Sequence, residues 1–390
     1  MPEPFWLALA LLPVAAWSGW WAAAHAYQRN ERRHQHTISS NYFKGLNYLL
    51  NEQPDKAIEV FLKLAEINTE TAETHLALGN LFRRRGEVDK AIRFHRHIIS
   101  RSNLSDQHRT QALLELGEDY MRAGLLDRAE KLFSELAEDG RYSEVAIRSL
   151  LSIYQQEKDW KNAIVQARRL ERVSDRDTSA LIAQFHCELS AEASHSGDRE
   201  NARRHLATAL GNCADCTRAY LLAGDLDIAQ RQWADAAGKY QQACELDPDI
   251  TVLVVENLSR CFSEMGQESE LLDWLEQLVN RGATLAPVLA FAAIRAESDP
   301  ASAINFLLEQ LQNRPTARGL YQLLELMHRH GHRIDEIDPA LLRNLMHRLL
   351  DDQPRFRCRQ CGFSGQTWHW QCPSCREWET TRPVIGVLGE

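Results

Sequence analysis

The chain has 390 residues, of which 44% are hydrophobic and 25% are charged, a composition typical of folded domains and not of disordered chains. A single compact core is not expected at this length, so the chain should contain several domains or an array of repeats. The formal net charge of −9 argues against nucleic-acid binding, because phosphate contacts need a basic surface.

The N-terminal segment from Phe5 to Tyr27 contains no acidic or basic residue over 23 positions. At about 1.5 Å of rise per residue, a helix of this length crosses a hydrocarbon core of roughly 30 Å. Arginines follow at once, beginning with Arg29, and positive residues tend to stay on the cytoplasmic side of a membrane. We therefore predict a transmembrane anchor at residues 1–28 and a basic juxtamembrane linker at residues 29–37, with the bulk of the chain in the cytoplasm.

Two other interpretations of this segment compete with the anchor. A cleaved signal peptide would explain Ala24-His25-Ala26, which resembles a small-residue cleavage site, but the basic start that such a peptide needs is missing. A buried core helix would need neighbours that cover all of its faces, and nothing nearby in the sequence supplies them.

A pattern of small and aromatic residues recurs with a period of about 34 residues. Gly79 lies 34 residues after Gly45, and Tyr154 lies 34 residues after Tyr120. Small residues let two antiparallel helices approach closely, and such pairs must stack because one pair cannot bury its own apolar face. An unrelated helical bundle would not keep a fixed period.

The segment GNLFRRRGEVDKA, which starts at Gly79, resembles a tetratricopeptide repeat. About six copies are recognisable between residues 38 and 250, and the amphipathic segments 301–311 and 318–329 are interpreted as parts of divergent repeats. The sequence therefore predicts an all-α, superhelical tetratricopeptide solenoid over residues 38–350, with Gly86 and Gly124 at turns. The basic runs 83–85 and 93–97 are interpreted as a solvated face, or as a contact for an acidic partner.

The C-terminal segment contains two C-x2-C pairs with ten residues between them. The candidate ligands are Cys358, Cys361, Cys372 and Cys375. Each pair makes a tight turn that directs two thiolates to one point, and Gly362 and Pro373 suit those turns. Four thiolates in a tetrahedron bind zinc or iron, and a site without an open position is structural rather than catalytic. We call residues 354–390 the cysteine module and predict that it holds one metal ion.

Aromatic residues are frequent in the cysteine module, and we expect them to pack around the metal and to help dock the module onto the last helices. Its five arginines against three glutamates also raise RNA binding as an alternative, although the resulting field is weak. A third C-x2-C pair, Cys213 and Cys216, falls at a turn between two repeats. A redox motif would need a neighbouring strand, which the repeats do not provide.

No P-loop, H-E-x-x-H or G-x-S-x-G motif occurs in the chain. A helical solenoid with a metal surrounded by thiolates offers no evident pocket for chemistry. The sequence therefore favours a protein-binding role over an enzymatic one.

Several segments make the chain similar to the lipopolysaccharide assembly protein B family of Gram-negative bacteria. They are LLPVAAW (11–17), GNLFRRRGEVDKAIR (79–93), DYMRAGLLDRAEKLF (119–133), and RCRQCGF and WHWQCPSCREW in the cysteine module. The resemblance covers essentially the whole chain, with residues 265–345 the least distinctive part.

This resemblance implies a single-pass protein of the cell inner membrane with its repeats in the cytoplasm. It implies a non-enzymatic adaptor that helps the membrane protease FtsH degrade the deacetylase that commits precursors to lipid A. Other lipopolysaccharide-pathway proteins would be further partners. The family's C-terminal module is rubredoxin-like, so the resemblance assigns the four cysteines as ligands of iron or zinc.

Two other functions remain open at this stage. The chain could be a scaffold that assembles lipopolysaccharide-synthesis enzymes at the inner membrane without proteolysis. It could also be an electron carrier that uses iron in the cysteine module, an option that zinc would exclude because zinc has no redox chemistry.

Overall fold

The structure, a computed structural model, describes residues 72–384 except positions 103, 139, 141, 282–284, 315, 332–341, 345, 348–349 and 351–352, together with seven isolated positions between 44 and 60. The segment predicted to cross the membrane and the basic linker after it lie outside the described residues. Within the described part, no helix has the length and apolar character that a bilayer crossing requires.

The chain divides into two compact units, Met1–Glu157 and Lys158–Glu390. The described helices of the first unit are α1 (Ala72–Arg84), α2 (Val88–Ile99), α3 (Asp106–Arg122), α4 (Leu126–Glu138) and α5 (Ser143–Glu157). Each of these helices packs against the next, and α1 also packs against α3. This is the arrangement of stacked helical hairpins in a tetratricopeptide solenoid.

The second unit is also built from packed helices, and it contains a small sheet. Its helices are α6 (Trp160–Ser174), α7 (Ser179–His195), α8 (Arg199–Asn212), α9 (Thr217–Ile228), α10 (Trp233–Leu246), α11 (Thr251–Met265), α12 (Glu268–Asn280), α13 (Leu285–Ser298), α14 (Pro300–Asn313) and α15 (Ala317–Arg329). Its strands are β1 (Phe356–Cys358), β2 (Ser364–Gly365) and β3 (Thr381–Pro383). The divergent segments 301–311 and 318–329 thus lie in helices, as predicted.

Aspartate caps begin several second helices of the hairpins. The side chains of Asp159, Asp198 and Asp299 each accept a hydrogen bond from the backbone N–H three residues further on. This bond satisfies one of the N–H groups that a helix leaves unpaired at its first turn.

The turns inside the hairpins require a left-handed backbone. Gly86 and Gly124 have φ of +81° and +72°, which confirms the prediction that they lie at turns. Lys158 and Arg231 occupy the corresponding turn position with φ of 59° and 58°. A residue with a side chain pays about 1 to 2 kcal/mol in this conformation. The hairpin nevertheless keeps the same turn where glycine is absent.

The small residues of the repeat allow the close helix approach that the period predicted. A Cβ atom on Gly79 would lie 2.2 Å from His95 Nε2, and one on Gly224 would lie 2.7 Å from Tyr240 Cε1. The recurring alanines are fully buried, among them Ala91 and Ala236. At the glycine positions, any side chain larger than hydrogen would force the neighbouring ring to move. At the alanine positions, a methyl group fills the space that the packed helices leave.

The basic runs are not the uniformly solvated face that we predicted. His95 is fully buried, and its Nδ1 lies 2.5 Å from Oδ2 of the equally buried Asp119. Arg83 is only 16% exposed and donates to Asp119 at 2.9 Å and to Glu115 at 2.6 Å. Only part of each run, such as Arg84, faces solvent. Burial between helices turns two of these side chains into an internal network, which their local sequence could not reveal.

Candidate metal centre and its contact with the repeats

The cysteine module is built on a three-stranded antiparallel sheet in the order β2-β1-β3. Phe356 in the central strand pairs with Gly365 on one side and with Pro383 on the other. The central strand ends at Cys358, so the sheet fixes the position of the first predicted ligand.

Each C-x2-C pair lies in a turn of the same form. The carbonyl oxygen of Cys358 accepts from the N–H of Gly362 at 3.0 Å, and that of Cys372 accepts from the N–H of Arg376 at 2.8 Å. Gly362 and Arg376 both have left-handed backbones, with φ of 79° and 62°. Gly362 thus has the role that its position predicted, whereas Arg376 takes up the same conformation without being glycine.

The two turns bring the four thiols together. All four Sγ atoms lie within 4.8 Å of one another. The Cys358–Cys375 and Cys361–Cys372 sulfur pairs are each separated by 3.7 Å. A tetrahedron with metal–sulfur bonds of about 2.3 Å has edges of roughly 3.8 Å, so the donor set fits a zinc or iron ion.

Hydrogen bonds lower the pKa of two of the four thiols. Burial raises the pKa of the Cys358 thiol, but its hydrogen bond with the Thr380 side chain and those from the backbone lower that pKa to about 6. The N–H of Phe363 lowers the pKa of Cys361. At Cys375 the N–H of Glu377 lowers the pKa, whereas burial and the other three thiols together raise it to about 12. Four thiolates at this spacing therefore need a positive ion among them.

Trp378 joins the cysteine module to the repeats. Its ring lies edge-on to Trp160 and Phe185, with centroid distances of 6.1 and 6.0 Å. Those two rings stack on each other at 5.8 Å and belong to α6 and α7. Our expectation that the module docks on the last helices was therefore incomplete, because this aromatic contact is made with the first two helices of the second unit.

Arg218 connects the same surfaces through charge. Its guanidinium lies 5.8 Å from the ring centroid of Trp370 and 5.7 Å from that of Trp378. It also donates to Glu188 at 2.8 Å. Beside it, the Gln184 amide donates to Glu379 at 2.6 Å. No sequence pattern predicts this role of Arg218, because its partners lie about 30 and 160 residues away along the chain.

Two further contacts complete the attachment of the module. Arg382 pairs with Asp247 at the end of α10 and lies over the ring of Trp368. Trp368 and Trp370 pack against the core cluster formed by α10, α11 and neighbouring helices. The aromatic side chains that we expected to surround the metal thus also pack against the repeats.

The C-x2-C pair at the turn between two repeats has a third cysteine beside it. Cys213 and Cys216 lie at the turn between α8 and α9, and the described strands all belong to the cysteine module. The structure instead places Cys216 Sγ 3.9 Å from Sγ of the buried Cys187. This pair, 29 residues apart in sequence, was not predicted, because helix packing alone brings it together.

Family models match both the repeats and the cysteine module. A family described as rubredoxin metal binding domain matches residues 356–383, and tetratricopeptide repeat families match residues 74–109 and 192–249. The solved structure of MamA covers 46% of this chain and 94% of its own, at 20% identity and a TM-score of 0.33.

Two curated relatives match almost end to end. Lipopolysaccharide assembly protein B of Escherichia coli strain K12 is 35% identical over 98% of this chain and 99% of its own. The protein of the same name from Haemophilus influenzae is 31% identical over 97% of this chain and 98% of its own. At this identity and coverage, the chain belongs to the lipopolysaccharide assembly protein B family.

Proposed function

We propose that this chain is a non-enzymatic adaptor of the inner membrane that regulates lipopolysaccharide biosynthesis. Residues 1–28 would anchor it, and residues 38–350 would present a protein-binding surface on the cytoplasmic side. The adaptor would bring the lipid A-committing deacetylase to the membrane protease FtsH. The names of the relatives support the pathway, and the resemblance stated above supports the two partners.

The observation that carries the protein-binding role is the stack of helical hairpins onto which the cysteine module is packed. Stacked hairpins expose the grooves between successive helices, and such surfaces bind peptide segments and helices of other proteins. The module extends this surface because Trp378 and Arg218 hold it against the repeats.

We further propose that Cys358, Cys361, Cys372 and Cys375 bind one ion of iron or zinc. When bound, the ion would cross-link the two cysteine turns and neutralise their thiolates. The residues themselves then act structurally: the sheet positions Cys358, and the sulfur of Cys358 lies 3.2 Å from the Thr380 hydroxyl oxygen, to which the free thiol donates. The metal would thereby fix the cysteine turn that precedes Trp378, so that the Trp378 ring is held in position to contact the repeats.

The half-life of the deacetylase tests the adaptor function. After protein synthesis is stopped, cells depleted of this chain should retain the deacetylase several times longer than cells that express it. Depletion of FtsH should lengthen the half-life equally and remove any further effect of the chain. An unchanged half-life on depletion of the chain would contradict the adaptor and favour a scaffold for the synthesis enzymes.

Recovery of partners from membranes gives a second measure. The full-length chain, captured from detergent-solubilised membranes, should bring FtsH with it. A variant with residues 1–28 replaced by an unrelated membrane span shows whether the anchor supplies only location. Recovery of soluble chaperones alone would count against the proposal.

A further inference from the structure

A cavity of about 380 Å³ lies where the cysteine module meets the repeats. The module contributes Trp368, Trp370 and Glu379 to its lining, and the turn before α11 contributes Asp247 and Asp249. Its volume falls within the range of about 300 to 1,000 Å³ that is usual for ligand sites.

Negative charge predominates in the lining. The four carboxylates are those of Asp215, Asp247, Asp249 and Glu379, and the two guanidinium groups are those of Arg359 and Arg382. Their charges leave the cavity with two net negative charges. Arg382 pairs with Asp247, and among the described residues no ion pair involves Asp215 or Asp249.

Asp249 is the residue that points to a ligand. It is only 9% exposed, and its carboxylate has no hydrogen bond or ion pair with any residue that the structure describes. Its backbone N–H, by contrast, donates to Asp247 at 3.2 Å. Because Asp249 lines the cavity, a cation bound there would supply the partner that the described residues do not.

The aromatic lining suits the same chemistry. Tryptophan faces attract guanidinium and ammonium groups. The chain already uses these rings in that way, since Arg382 lies 5.8 Å from the centroid of Trp368 and Arg218 lies 5.8 Å from that of Trp370. A further cation in the cavity would meet carboxylates and indole rings together.

A second, smaller cavity favours a peptide over a free amine. It has a volume of about 210 Å³, and Trp370 lines it as well as the first cavity. Leu221, Leu222, Leu253 and Val254 make much of its wall apolar. A ligand that fills both cavities needs an apolar group close to a cationic one, as in a chain segment with an apolar residue beside a basic residue.

We propose that the larger cavity binds the basic side chain, arginine or lysine, of an extended segment in a partner protein, with a neighbouring apolar side chain in the smaller cavity. The inference deepens the adaptor function and rests on it for its biological meaning. The binding itself is measured on the purified full-length chain, without protease or client. If the wild-type chain does not bind the peptide while deacetylase turnover is normal, the site is overturned and the adaptor function stays in place.

Fluorine NMR of the metal-loaded full-length chain in detergent, labelled with 5-fluorotryptophan, can measure this binding. Trp368→Phe and Trp370→Phe variants serve only to assign the two resonances. The probe is the capped tetrapeptide Ala-Leu-Arg-Ala, and its matched control carries citrulline, the neutral isostere of arginine. We expect the arginine peptide, and not the citrulline peptide, to shift both resonances to saturation.

Three variants show whether the acidic lining is responsible. Asp249→Asn should weaken binding by about tenfold or more, since it removes a charge-assisted contact. Asp215→Asn, at an exposed position of the same lining, should also weaken it and guards against a folding defect at Asp249. Asp273→Asn, at an exposed position on α12 outside the lining, should leave binding unchanged.

Several outcomes would overturn the proposal. Equal shifts from the citrulline peptide would show that charge is not recognised. Wild-type affinity in both Asp249→Asn and Asp215→Asn would show that the cavity is not the site. Spermidine binding as tightly as the arginine peptide would reject recognition of a peptide in favour of a free amine.

Discussion

The indole ring of Trp378 meets that of Trp160 edge-on, with ring centroids 6.1 Å apart and the ring planes at 74°. Trp160 is 4% exposed, and its Nε1 donates to Glu192 at 2.9 Å, so the surface that receives Trp378 is held by the repeats themselves. The ring of Trp378 therefore meets a surface that the repeats hold in place, and this contact is one of several that attach the cysteine module.

Replacing Trp378 with alanine should loosen the module from the repeats while the metal turns stay folded. The loss of this partly buried ring should cost about 2 to 4 kcal/mol of the contact. Hydrogen exchange should rise in α6, α7 and β3, whereas metal content should not change. Trp378→Phe keeps an aromatic ring and is the control; equal protection in Trp378→Ala and wild type would contradict this account.

Two glycines in the same hairpin should respond oppositely to alanine. Gly224→Ala would place a Cβ 2.7 Å from Tyr240 Cε1, and this overpacking should destabilise the chain by about 1 to 3 kcal/mol. Gly238→Ala, inside α10 with nothing within 4 Å of the new Cβ, should stabilise it by about 0.5 to 1 kcal/mol. Thermal unfolding of both variants measures the difference, and shifts of the same sign would refute it.

Asp119→Ala should be among the most destabilising substitutions in the first unit. It leaves the buried His95 and the mostly buried Arg83 without their shared carboxylate, at a cost of about 3 to 5 kcal/mol. Glu135→Ala removes the same charge from an exposed position of α4 and should cost under about 0.5 kcal/mol. Faster hydrogen exchange throughout α1 to α3 should distinguish the first variant from the second.

Cys358→Ser should abolish metal binding and unfold the cysteine module, because metal binding and folding are coupled in so small a domain. Elemental analysis should then find no iron or zinc, and trypsin should cleave the tail rapidly. Cys213→Ser, at a cysteine outside the four-thiol set, should retain the metal. Unchanged protease resistance in Cys358→Ser would mean that the module folds without an ion.

His186 should make the second unit sensitive to mild acid. Burial, helped by the neighbouring His205 and Arg168, lowers its pKa from 6.5 to about 4. Between those values the unfolded chain binds a proton that the folded chain does not, so stability should fall as pH decreases through this window. His186→Gln should flatten the dependence relative to wild type, with the exposed His195→Gln as control; parallel pH profiles for all three proteins would exclude this role.

The sequence predicted best those features that depend on contacts between residues close together along the chain. The spacing of glycine and alanine reflects contacts inside one hairpin, so it predicted Gly86 at a turn and the close packing at Gly79. The C-x2-C spacing likewise reflects single turns, and the four cysteines that it singled out among nine have sulfur atoms within 4.8 Å of one another.

The same reasoning failed where partners lie far apart along the chain. His95 was interpreted as part of a solvated run because its carboxylate partner, Asp119, lies on another helix. The roles of Arg218 and the pairing of Cys187 with Cys216 left no periodic signal, because single long-range contacts do not repeat.

The sequence by itself therefore determined that this chain forms helical hairpins and carries a four-cysteine turn pair, since hydrophobic period and ligand spacing are set within about 34 residues. Only the tertiary structure decided where the cysteine module sits, how Arg218 is placed between two indole rings, and that Asp249 is buried without a partner. Those features depend on the angle at which successive hairpins stack, a quantity that no local pattern of residues specifies.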